Sequence, residues 1–166
     1  MLPTHTSGRR ATRVADLTDP VHVVTADVII DAPAEAVWAA VTDWDRQSGW
    51  IVATTISRSD HTEPGLGDRF EARTGLGPIG VTDPMVVTEW EPPLRCEVRH
   101  LGRAVRGSGL FELFPLPGGR CRFVWSERVE VPFGRAGRLG WIGARPLVTA
   151  GLKASLSRLA RSIEAG

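Results

Sequence analysis

The stretch "VIIDAPAEAVWAAVTDWDRQSGW", residues 28–50, changes its periodicity partway along, and that change decides how the chain is read. Its first residues continue an alternation begun at Val21. Val24, Ala26, Val28 and Ile30 share one face of the segment 21–31 while Thr25 and Asp27 share the other, the pattern of a half-buried strand. Asp31 ends the strand and can cap the following turn. Pro33, whose ring fixes φ near the helical value, suits a first helical position, and Val37, Ala40 and Val41 then recur at helical spacing. The spacing predicts a short amphipathic helix over 33–42 and a second short helix, or helical turn, over 43–48 that ends at Gly49. Trp38, Trp44 and Trp50 lie six residues apart. Their bulk is read as packing that ties the short helices to a sheet, with Trp44 and Trp50 also placed to border a cavity mouth.

Downstream, alternating segments over 50–58, 67–74, 79–90, 93–100, 103–114 and 120–131 read as strands. The intervening "EPGLGD", "EPPL", "HLGR" and "PLPGGR" are turn sequences that join antiparallel neighbours, so the six segments are expected to form one meander, with 21–31 joining an edge of the same sheet. The last segment, 136–164, is helical: Leu152, Leu156, Leu159 and Ile163 form an apolar stripe. Gly137, Gly140, Gly143 and Pro146 weaken its first half, and Pro146 is expected to kink or break it.

Composition bounds the rest. A chain of 166 residues with 42% hydrophobic and 23% charged residues fits a single domain with one core. Residues 1–20 are polar and without period, a flexible arm by composition, so the ordered domain is expected over 21–166. A net charge of +1, from 20 basic and 19 acidic residues, gives no reason to expect a nucleic-acid partner. No apolar run approaches bilayer-spanning length and "MLPTHTSGRRATRVADLTDP" has no signal-peptide core, so the expectation is a cytoplasmic chain without stable membrane insertion. Cys96 and Cys121 fall on strands separated by another strand, about 10 Å apart at ordinary strand spacing, too far for a disulfide. They are read as buried thiols. Neither CxxC nor HExxH occurs, and no metal or other cofactor is expected. The glycines of "GLGPIG" lie between strands and lack the lysine of a phosphate loop. No GxSxG or kinase set is present, and there is no tyrosine to act as a phenolic acid.

The order strand, two short helices, six strands, long helix resembles the helix-grip fold of the START/SRPBCC superfamily, in particular its bacterial polyketide cyclase/dehydrase-like branch. The resemblance is carried by "IIDAPAEAVWAAVTDWDRQSGW", "GDRFEA", "VVTEWEPPLRCEVRH" and "GRCRFVWSERVEVP" with the terminal helix, and covers roughly residues 21–165. It implies an α+β fold in which a seven-stranded, curved antiparallel sheet wraps around a long C-terminal helix. It also implies an internal cavity that holds an apolar small molecule.

Strand parity says which side chains would line such a cavity. In "LRCEVRH", Leu94, Cys96, Val98 and His100 share a face; in "CRFVWSERVEV", Cys121, Phe123, Trp125, Glu127, Val129 and Val131 do. His100 and Glu127 are therefore ionisable residues on otherwise apolar faces, where an unpaired charge is costly. They are the tentative catalytic pair: they would orient a ligand carbonyl or hydroxyl, or act as acid and base in cyclisation and dehydration. The plainer alternative places each at a strand end near solvent or against a backbone group of the long helix. Trp44, Trp50, Phe70, Met85, Val98, Phe111, Phe123, Trp125, Trp141 and Arg145 complete the candidate ligand-binding set, with Arg145 facing either cavity or water. The function expected is binding or transport of a small hydrophobic molecule, lipid or polyketide-like; the alternative is an aromatase-like cyclase/dehydrase using His100 and Glu127.

Overall fold

The structure, a computed structural model, describes residues 21–58, 63–103, 105–131 and 134–166; the arm expected over 1–20 lies outside these residues. Among the described residues, β1 (Val21–Ile30) is followed by the short helices α1 (Ala34–Val41) and α2 (Trp44–Gln47). The strands β2 (Thr54–Arg58), β3 (Arg69–Leu76), β4 (Ile79–Glu91), β5 (Arg95–His100), β6 (Gly107–Leu116) and β7 (Arg120–Glu130) come next, and α3 (Gly134–Glu164) ends the chain. All seven strands pair antiparallel in the order β1-β7-β6-β5-β4-β3-β2. The meander thus runs from β2 to β7, and β1 closes onto β7 at the edge, Val24 opposite Glu127 and Ile30 opposite Cys121. This is the helix-grip α+β arrangement, a curved antiparallel sheet with a long C-terminal helix. Between Val87 and Glu89 the β4–β5 register shifts, a bulge of the kind that adds twist and bends a strand.

Several boundaries move, each for a local reason. The segment expected as strand from residue 50 first continues the turn of α2, with the Trp50 and Ile51 amides donating to the Gln47 carbonyl, and β2 starts only at Thr54. Leu94, expected inward with Cys96 and Val98, precedes β5 in a turn and is exposed, so strand parity does not reach it. No break occurs at Pro146: α3 is continuous from Gly134 to Glu164. The proline lies at an exposed position, where water can serve the carbonyl that loses its partner.

The core draws on the sheet's inner face, α1 and the second half of α3. Val37, Trp38 and Val41 of α1, together with Leu152, Leu156 and Leu159 of α3, are buried with Ile30, Val87, Cys96, Leu113 and Phe123 from the strands. Trp38 meets Trp90 edge-on at 4.8 Å and Trp44 stacks on Phe70 at 4.6 Å, so two of the regularly spaced tryptophans fasten the short helices to the sheet. Asp43 caps α2 by accepting from the Arg46 amide. The backbone of α3 approaches β1 and α1 most closely.

Candidate functional site

Where α3 stands away from the middle strands, a pocket of about 590 Å³ remains, within the usual span of roughly 300–1,000 Å³ for small-molecule sites. Phe70, Met85, Val98, Phe111 and Trp125 form its sheet wall, Trp44 and Ile51 its α2 side, and Trp141, Val148, Leu152 and Ser155 its α3 side. The gap has a cause in the sequence. Gly151 faces it, and a Cβ built there meets nothing within 4 Å. A larger residue at that turn of the helix would fill the space. Buried Ser155 fastens the wall by donating to the Gly151 carbonyl at 2.8 Å and accepting from the Val52 amide at 2.9 Å.

One part of this apolar lining is polar. Among the described lining residues the ionisable ones are Asp83, His100 and Glu127. His100 Nδ1 bonds Asp83 Oδ2, and Nε2 bonds Glu127 Oε2 at 3.1 Å. The Trp125 indole N–H donates to the other oxygen, Glu127 Oε1, at 2.7 Å. The side chains of His100, Asp83 and Glu127 are 8%, 10% and 16% exposed, so little water competes for these bonds. Both partners of the imidazole are carboxylates, which accept; both nitrogens must carry protons for both bonds to form. Burial lowers the His100 pKa, but the hydrogen bonds and charges of Asp83 and Glu127 outweigh it and push the value up to about 10. The ring is therefore an imidazolium at neutral pH.

His100 and Glu127 sit two strands apart, and what lets them touch is the strand between. On β6, His100 faces Gly107 and Glu127 faces Gly109, so no side chain rises between them on the inner face. A methyl at Gly109 would lie 3.0 Å from Glu127 Oε1 and 3.2 Å from Val98 Cγ2. Gly107 has φ +124, and a Cβ there would collide with the Arg128 carbonyl at 1.8 Å. "GSG" at 107–109 is thus the sequence signal for the cluster. Asp83 is absent from the sequence candidates although the inward parity of Met85 and Val87 puts it on the same face.

Of the candidate residues, Trp44, Phe70, Met85, Val98, His100, Phe111, Trp125, Glu127 and Trp141 lie on the pocket wall, and Trp50, Phe123 and Arg145 do not. Trp50 is buried edge-on to Trp125 at 5.7 Å and so backs the wall from behind. Phe123 is fully buried, with Val28 and Leu113 as cross-strand neighbours and Phe111 edge-on at 5.3 Å. Arg145 is exposed, which spares its guanidinium the cost of desolvation; Trp141, one turn earlier, instead packs on His22 at 5.4 Å.

A second hollow, about 610 Å³, opens at the end of β5–β7 and is lined by Arg99, Arg103, Arg106 and Arg128 with Glu97 and Glu130, a surface too polar for an apolar guest. Cys96 and Cys121 are free and buried. Burial, followed by the charges of Glu89, Asp68 and Glu97, pushes the Cys96 thiol up to about 12. Among the described residues no group of three or more His, Cys, Asp or Glu is disposed to hold a metal, and no helix is long and apolar enough to cross a membrane.

A family model described as polyketide cyclase / dehydrase and lipid transport matches residues 21–164. No curated protein matches the chain in sequence. Among solved structures, a protein of Thermus thermophilus superposes with a TM-score of 0.74 at 18% identity, over 87% of this chain and 98% of that one. The Zhui aromatase/cyclase from a Streptomyces species gives a TM-score of 0.72 at 18% identity, over 87% of this chain and 94% of that one. A Deinococcus radiodurans protein gives 0.63 at 21% identity, over 87% and 99%. At such identities the likeness is one of fold.

Proposed function

The chain belongs to the polyketide cyclase/dehydrase and lipid-transport family, and from that premise we propose that it binds a small hydrophobic molecule, lipid or polyketide-like, in the pocket between sheet and α3. The observation that carries this reading is the pocket of about 590 Å³ walled by Phe70, Met85, Phe111, Trp125, Trp141 and Leu152. Such walls bind by removing apolar surface from water, worth about 0.8 kcal/mol per methylene. Titration of straight-chain 1-alkanols from hexanol to dodecanol by calorimetry tests it. Each added methylene is expected to tighten binding about fourfold until the pocket is full. Absence of saturable binding across the series would contradict the reading.

A cyclase/dehydrase reading draws on the same cluster, with Glu127 as the base that removes a proton from a folded chain. His100 fits that reading less well. Both its nitrogens are engaged by carboxylates, so it has no lone pair to serve as a base and no free N–H to donate. Its role is to hold Asp83 and Glu127 in place, and binding is the function we favour.

A further inference from the structure

Taking the pocket to be a ligand site, as proposed above, we infer that its polar end selects apolar molecules that lead with a hydrogen-bond donor, an alcohol, phenol or amine, and turns away carboxylates. The side-chain donors at this polar end are already committed. His100 gives one N–H to Asp83 and the other to Glu127, and Trp125 gives its N–H to Glu127. Elsewhere on the wall, the Gln47 amide donates to the Val41 carbonyl, Ser155 to Gly151, and the Trp44 indole to Asp68.

What remains on offer is acceptor capacity. A carboxylate accepts about four hydrogen bonds, and among the described residues the Glu127 oxygens accept two, from Trp125 and His100. Glu127 is also the most exposed side chain of the cluster. Two carboxylates around one imidazolium sum to one negative charge, and no lysine or arginine is among the described lining residues to offset it. An incoming O–H or N–H meets a charged acceptor in a place with little water, where such bonds are stronger. An incoming carboxylate meets like charge and must shed its own hydration for no partner.

The test holds the apolar part constant: calorimetric titration of the full chain at pH 7 with 1-decanol, decylamine, decyl methyl ether and sodium decanoate. The alcohol and the amine are expected to bind about tenfold tighter than the ether, with decanoate weakest. The Glu127→Gln variant is expected to bring alcohol and ether within about threefold of each other. Should that variant not fold, the ranking on the native chain decides alone. Equal affinity for all four compounds would overturn donor selection and leave the apolar pocket standing, as would decanoate binding tightest. Binding of none would overturn the pocket reading itself.

Discussion

His100 carries the most informative chemistry of any single residue here. Its pKa in the fold, about 10, exceeds the ordinary 6.5, so the folded chain holds a proton that the unfolded chain releases between those values. The stabilisation this gives is whole below pH 6.5 and is lost as pH rises through 10. The thermal midpoint is therefore expected to fall between pH 7 and pH 10, and an NMR titration of the His100 ring should show no deprotonation below pH 8. Replacing His100 by Gln leaves two carboxylates facing each other without their cation, at a cost of about 3 kcal/mol or more in chemical denaturation, and should flatten that pH dependence. The two thiols give a second check at this scale. Burial raises both Cys96 and Cys121, so a thiol reagent at pH 8 should label neither in the native chain and both after denaturation. Parity alone made His100 and Glu127 legible, because alternation tells which face a strand residue takes. It did not make Asp83 legible as a partner, since the His100–Asp83 bond depends on how β4 and β5 register, and register is set by pairing and not by either strand's own pattern.

At the scale of elements, β6 shows how a strand acts by what it leaves out. Gly109→Ala is expected to push Glu127 off His100, lower the His100 pKa and destabilise the fold by about 1–3 kcal/mol through overpacking. NMR titration and thermal melting read the two effects together. Gly151→Ala makes the contrast. Nothing lies within 4 Å of the added methyl, so the helix should gain up to about 1 kcal/mol from propensity alone. The elements themselves were legible nearly throughout, because alternation, helical spacing and turn residues agree in this chain. The departures come from tertiary context. Pro146 does not interrupt α3, whose buried second half anchors on Leu152, Leu156 and Leu159. Arg145 turns outward while Trp141, Val148 and Leu152 share the face toward the pocket, a choice of helix rotation that apolar spacing in the weak first half left undecided.

The whole molecule is a curved sheet and a rod that do not fill the space between them. The order of elements pointed to this arrangement through resemblance. The volume of the gap did not follow from any residue pattern, since it depends on how far α3 stands from β3–β6. Closing that gap on purpose is the most direct test of ligand binding there. A Cβ added at Gly151 meets nothing within 4 Å, so a Phe there is expected to place its ring in the gap, with the variant folding and melting like the native chain. Calorimetry with 1-decanol is expected to show one site per native chain and none in the folded Gly151→Phe variant. Undiminished binding by that variant would contradict the placement of the ligand between sheet and helix.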